Sequence, residues 1–169
     1  MTIAPATIDL AAAEMQLIND VGREHILADA LAPVVGRFDD VLIDCPPSLG
    51  ILTINALTAA DSVLIPVECH YLALRGLDQL MQSVAKIQRR TNPRLSLLGV
   101  LPTMYDARTV HEQEVLGDLR ERFPGKVFAP IRRSIRFAET ALAGRSMLDY
   151  DPSHPGAHDF QNLAEELLS

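Results

Sequence analysis

Val41-Leu42-Ile43-Asp44-Cys45-Pro46-Pro47 decides how this chain is read. Three apolar residues, two of them β-branched, lead into an aspartate. Two prolines then deny the run the amide hydrogens that a strand needs. The pattern predicts a buried strand over 41–44 with a carboxylate at its C-terminal end. Open α/β sheets place their ligand chemistry at that end. In phosphate-handling folds a carboxylate there holds Mg²⁺, directly or through a water. An aspartate in this position also serves as a helix cap or opens a turn. Local physics leaves both roles open.

Outward from this stretch, apolar runs alternate with amphipathic helical stretches, which predicts a parallel sheet with helices on both faces. The strands are expected at 41–44, 62–67, 97–102 and 126–129. A helix is expected around 22–32, with Ile26, Leu27 and Leu31 facing inward. Leu77, Leu80, Met81, Val84 and Ile87 fall on one helical stripe, with Lys86, Arg89 and Arg90 toward its polar side, and Asn92-Pro93 stops that helix. Val115, Leu119 and Phe123 form a second stripe, ended by Pro124-Gly125. Leu163, Ala164, Leu167 and Leu168 line a terminal helix that starts near Gly156. A length of 169 residues suits one domain, 1–169.

The composition narrows the function classes. Hydrophobic content is 48% and aromatic content 5%, so the core is aliphatic. The net charge of −7 does not advertise nucleic acid, and any such contact needs a local basic patch. Cys45 and Cys69 lack metal-type spacing and read as buried or part-buried free thiols in a reducing compartment. The five histidines share no ligand spacing; His154 and His158 are separated by Pro155 and Gly156, which argues against a helical metal pair. No signal-peptide pattern opens the chain. No apolar run reaches the ~18 residues of a membrane span. A phosphate-binding Gly-x-x-x-x-Gly-Lys-Ser/Thr loop is absent: Gly125-Lys126 is followed by Val127, and Arg120 stands where the first glycine belongs.

Phe38-Asp39-Asp40 through Ser48-Leu49-Gly50, the wider frame of the opening stretch, resembles the Walker B and switch II segment of the ParA/Soj partition ATPases. These are deviant-Walker-A P-loop NTPases. Thr103-Met104-Tyr105-Asp106-Ala107-Arg108-Thr109 is similar to that family's motif after a later strand. Ile131-Arg132-Arg133-Ser134-Ile135-Arg136-Phe137-Ala138-Glu139 resembles its Ile-Pro-Arg-Asn-Val-Arg-Leu-Ser-Glu segment, and Ala6-Thr7-Ile8-Asp9-Leu10-Ala11 with Glu14 resembles the run into the middle of the fold. The motifs occur in order over nearly the whole chain.

The resemblance implies a doubly wound, mostly parallel α/β fold of the P-loop NTPase type. Family members carry the P-loop and switch I ahead of the matched region. The chain is therefore expected to be the C-terminal portion of the domain. An unpaired strand edge and an exposed apolar face would then make it poorly soluble or dependent on a partner. By the same resemblance, Asp44 is the catalytic carboxylate that holds Mg²⁺ through water, and the Cys45–Gly50 loop, with Pro46, corresponds to switch II. Thr103, Met104, Ile131 and Arg132 fall at the nucleotide base, with Arg132 replacing the family's proline. Arg108 and Arg136 match arginines that bind DNA without sequence preference. The implied cofactors of the complete protein are ATP and Mg²⁺. The implied partners are DNA, a second copy in a nucleotide-sandwich dimer, and a ParB-type protein that stimulates hydrolysis. The implied place is the cytoplasm, on the nucleoid. Without a P-loop the chain alone is expected to be inactive as an ATPase. Blander readings stand beside these: Asp106 as a helix N-cap, and 132–136 as a solvated charged loop. A non-catalytic binding or dimerisation module and a related cargo-positioning ATPase are the alternative functions.

Overall fold

A computed structural model describes residues 2–17, 19–46 and 48–168. The expected strand-stopping role of Pro47 lies outside the described residues. The chain divides into two compact units, one of residues 1–63 and 79–96, the other of 64–78 and 97–169.

The first unit holds α1 (Ile8–Leu17), α2 (Ile26–Leu31), a 3₁₀ turn at Val35–Arg37, α3 (Ile51–Ala59) and the later turns of α4 (Tyr71–Arg90). Its core is aliphatic, as the composition implies. Leu57, Val84, Ile87 and Leu95 are buried together, and Ile54, Ala60, Val63 and Leu80 pack against them. Of the expected α4 stripe, Leu77, Val84 and Ile87 are buried, while Leu80 and Met81 are half-buried. The helix ends where Thr91 and Asn92 both donate their amides to the Ile87 carbonyl, just before Pro93. Two buried asparagines bind the elements together. Asn55 accepts the Leu27 amide at 3.0 Å and donates to the carbonyls of Arg23 (2.7 Å) and Ile51 (2.9 Å), tying α2 to α3. Asn92 donates to the carbonyls of Leu57 (3.0 Å) and Ala60 (2.6 Å), tying the end of α3 to the end of α4.

Three expectations fail in this unit. Residues 41–44 form no strand among the described residues, and Leu42 is 93% exposed. A strand exists only as part of a ladder; 41–44 has the composition of one but no partner. Within α2, Ile26 is exposed rather than inward, and Leu27 and Leu31 are half-buried. Cys45 is also exposed.

The second unit takes β1 (Ser62–Glu68) and β2 (Ser96–Thr103) almost entirely, with α5 (Val110–Arg122), α6 (Arg136–Ala143), α7 (Met147–Tyr150) and α8 (Pro155–Leu168). The two strands pair side by side. They run parallel: Ser96 donates to the Asp61 carbonyl at their beginnings, and Cys69 to the Thr103 carbonyl at their ends. Leu101, Ile131 and Leu163 form this unit's buried cluster, with Leu64, Phe128 and Phe137 packed on it. Val115 and Leu119 of α5 are buried as expected, and Phe123 lies half-buried just past the helix end. On α8 Leu163 is buried, but Ala164, Leu167 and Leu168 are exposed.

The strand expected at 126–129 is reduced to a single parallel bridge between Val100 and Val127. Prolines explain this. Val100 donates to Lys126 at 2.7 Å and Phe128 donates to Val100 at 3.0 Å. The next rungs of a parallel ladder would need amide hydrogens from residues 102 and 130. Both are proline and have none. The segment shifts by one residue, and Ile131 donates to the Pro102 carbonyl instead, at 2.9 Å.

Candidate functional site

The ladder resumes beyond this shift and builds a cleft. β2 ends at Thr103, and Met104 then adopts the left-handed conformation with φ 51°. That region is strained for a residue with a Cβ, and such residues cluster at functional sites. The turn lets Tyr105 pair in parallel with Arg132: Tyr105 donates to Ile131 at 3.1 Å and Arg133 donates to Tyr105 at 3.0 Å. The segment 103–109 is thereby joined to 130–133. Tyr105, Asp106, Ala107, Arg108, Pro130, Arg132, Arg133 and Asp159 line an open cleft of about 400 Å³.

Each arginine of the region is held by a carboxylate. Arg108 grips Asp106 with two side-chain hydrogen bonds of 2.9 and 2.7 Å, and its amide donates to the same carboxylate at 3.0 Å. Asp106 thus closes a two-residue turn and is not the N-cap of α5; Thr109 occupies that position. The Arg108 side chain stays 90% exposed. Those hydrogen bonds hold the Asp106 carboxyl far below the usual carboxylate range. Arg132 makes a similar fork on Asp159, at 2.7 and 2.9 Å, with its amide adding a third bond of 3.1 Å. The Asp159 side chain is only 12% exposed. Burial pushes its carboxyl up, but the bonds from Arg132 outweigh that and leave it below its ordinary value. Arg133 reaches the Met104 carbonyl at 3.2 Å and the buried Glu112 at 3.4 Å. Glu112 in turn accepts the Asp106 amide at 2.6 Å, which fixes the turn over the start of α5. Arg136, at the start of α6, pairs with Glu139 at 2.8 Å.

The expected residues are distributed as follows. Thr103, Met104, Arg108, Ile131 and Arg132 come together in the second unit. Ile131 takes part only through its backbone, since its side chain belongs to the core. Arg136 stands on α6, outside the cleft lining. Pro130 lines the cleft, so a proline stands two residues before Arg132, the position where the family motif has it. Asp44 and Pro46 belong to the first unit, in the irregular run before α3. The Asp44 carboxylate is exposed and makes no hydrogen bond or ion pair among the described residues. No group of three metal-ligating side chains occurs among those residues. A single free carboxylate suits Mg²⁺ that shares its ligands with water and phosphate, and does not suit an all-protein cage. Sequence reasoning missed Tyr105 and Asp159 as cleft residues. Asp159 is 27 positions from its arginine and carries no local signal.

The parallel α/β architecture is of the P-loop NTPase type, as its likeness to solved structures shows. A family model described as an AAA domain matches residues 1–97. The sporulation initiation inhibitor protein Soj of Bacillus subtilis is 45% identical over 100% of this chain and 67% of its own length. The chromosome partitioning protein ParA of Myxococcus xanthus is 42% identical over 99% of the chain and 60% of its own length. The chain belongs to the ParA/Soj family. An uncharacterised Mycobacterium tuberculosis protein is 49% identical, and the chain spans 53% of its length, so about half to two-thirds of these relatives is represented. A Mycobacterium smegmatis structure described as cobyrinic acid a,c-diamide synthase, with bound ATP analog and magnesium, superposes with a TM-score of 0.82 at 44% identity. It covers 97% of this chain and 61% of that one. Apo McdA of Cyanothece shares the fold at a TM-score of 0.85 and 23% identity, over 96% of this chain and 66% of that one.

Proposed function

We propose that this chain is the switch II and base-binding portion of a chromosome- or plasmid-partitioning ATPase domain. The observation that carries the reading is the cleft in which the 103–109 and 130–133 motifs, distant in sequence, are hydrogen-bonded together. Tyr105 and Pro130 offer flat faces to a nucleobase, and the Arg132 guanidinium, held by Asp159, offers a third. The ATP analog and magnesium bound in the Mycobacterium smegmatis relative support nucleotide as the ligand. Asp44, free and exposed, is the group that would orient metal-bound water; Mg²⁺ itself neutralises phosphate charge when bound. Pro46 would shape the loop beside it. The complete protein, in this reading, binds ATP as a homodimer, contacts DNA through Arg108 and Arg136, answers to a ParB-type partner, and works on the nucleoid in the cytoplasm.

The cleft is tested by titrating AMP into the isotopically labelled chain. Amide shifts confined to Tyr105, Ala107, Arg132 and their neighbours are expected, reduced in Asp159→Ala. Shifts elsewhere, or none at millimolar nucleotide, overturn the base-binding reading. Phosphate release with Mg²⁺ and DNA present should stay at background, because the phosphate-cradling loop is not in this sequence. Turnover that Asp44→Ala removes would refute that expectation. In a version extended by the family's P-loop region, Asp44→Ala should abolish Mg²⁺-dependent turnover and leave the circular dichroism unchanged. Unfolding would instead make Asp44 a structural cap.

A further inference from the structure

We infer that the C-terminal end of α4 is a nucleic-acid phosphate surface in its own right, carried by Lys86, Arg89, Arg90 and Arg94. The observation is a contrast between two clusters of basic residues; Arg37, Arg75, Arg120 and Lys126 are also exposed without an ion pair among the described residues, but no two of them share a helix turn. Arg108, Arg132, Arg133 and Arg136 all lie against carboxylates. Lys86, Arg89, Arg90 and Arg94 are all exposed, and none makes an ion pair among the described residues. In a chain of net charge −7, such a concentration of unanswered positive charge has to be kept local.

Helix geometry gathers these cations. Lys86, Arg89 and Arg90 stand at i, i+3 and i+4, one above another on a single face. Val84 and Ile87 are buried on the opposite side. Arg94 follows the helix in a loop that is unusually well fixed. The buried Asn92, anchored on the Leu57 and Ala60 carbonyls, accepts the Arg94 amide at 3.2 Å. Gln88 holds the Leu95 carbonyl at 2.7 Å. Asp61 is tied to the end of this loop, its carbonyl accepting the Ser96 amide and hydroxyl; its carboxylate forms no ion pair among the described residues. A cation or two would answer the helix dipole, which amounts to about half a charge. Four exceed that need and repel one another until a polyanion arrives.

The chemistry of the surroundings selects the polyanion. No large apolar side chain between residues 73 and 97 is exposed. A protein partner would lack the apolar anchor on which interface energy concentrates, and a membrane would find nothing to insert. A phosphate backbone needs neither, only cations on a rigid frame. The surface does not depend on Arg108 and Arg136, and the test separates the two.

The test measures binding of the 169-residue chain to random-sequence duplex DNA at several salt concentrations. Removing one cation that meets a phosphate lowers the salt slope by about one unit, so K86Q/R89Q/R90Q/R94Q should bring it down by about two to four units. R89K/R90K should keep the slope, since point charges suffice. The melting temperature should stay within about 3 °C, because the substituted side chains are exposed. A reduced slope in R108A/R136A with none in the quadruple variant overturns this inference and leaves the proposed function standing. The reverse pattern upholds the inference and refutes the DNA role of Arg108 and Arg136. Absence of salt-dependent binding by the unaltered chain overturns it. So does equal or tighter binding to polyglutamate or to phosphatidylserine vesicles at the same ionic strength.

Discussion

Met104 and Asp106 show how single residues set the cleft. Met104 holds φ 51° while the residue is 55% exposed, so it gains little from burial to offset the backbone strain. Met104→Gly should therefore stabilise the chain by about 0.5–1 kcal/mol in urea unfolding. Destabilisation would mean that the thioether makes contacts the exposure does not suggest. Asp106 carries the pH dependence of the turn. Its folded carboxyl is depressed, so its contribution is present above the unfolded value of about 3.9. That contribution is lost only as pH falls through the lower folded value. The Arg108 Nε–H resonance should thus stay unchanged from neutral pH through pH about 4 and move only in stronger acid. In Asp106→Asn it should show no such transition. A wild-type transition near the ordinary carboxylate value would show that the fork is not formed in solution.

At the scale of elements, close approach and polar ties decide which segments hold. A Cβ on Gly99 would collide with the Phe128 ring and lie 2.7 Å from the Lys126 carbonyl. Gly99→Ala should cost about 1–3 kcal/mol, since the backbone oxygen cannot turn aside. A neutral result would mean that 126–128 is free to move off β2. Asn55→Ala leaves the Leu27 amide and the Arg23 and Ile51 carbonyls without their side-chain partner, and should cost about 2–3 kcal/mol. Urea midpoints measure both. Strands β1 and β2 and the α4 and α5 stripes were legible in the sequence, because each buries its apolar face through local periodicity. The failure at 126–129 was not, since it depends on Pro102 and Pro130 meeting across a ladder, a coincidence that no window of sequence displays. The 103–109 and 131–139 motifs were legible by resemblance; Tyr105 and Asp159 were not, because what makes them cleft residues is register and a 27-residue reach.

Across the whole molecule, burial is uneven. Among residues 2–50 whose burial is described none is buried, and Ile3, Met15, Val21, Phe38 and Leu42 are all exposed. Buried residues begin at Thr53 and recur to Leu163. Exposed apolar surface on this scale marks an interaction site or an aggregation liability. Thermolysin should cut first between residues 32 and 46, where most residues are exposed and apolar side chains are in reach, and should spare α4, β2 and α5. First cuts within 97–122 would contradict the burial pattern.

The two cysteines make this unevenness useful. Cys69 is 2% exposed, and burial with the charges of Glu112 and Glu68 pushes its thiol up to about 11. Cys45 is exposed beside Asp44, its thiol raised by partial burial and by that carboxylate. The native chain therefore carries one addressable thiol, and it sits in the loop proposed as switch II. A maleimide fluorophore should attach there alone, faster as the solution is made alkaline. Without any engineered substitution, the chain holds an attachment point for an optical reporter of what that loop does when nucleotide or a partner arrives.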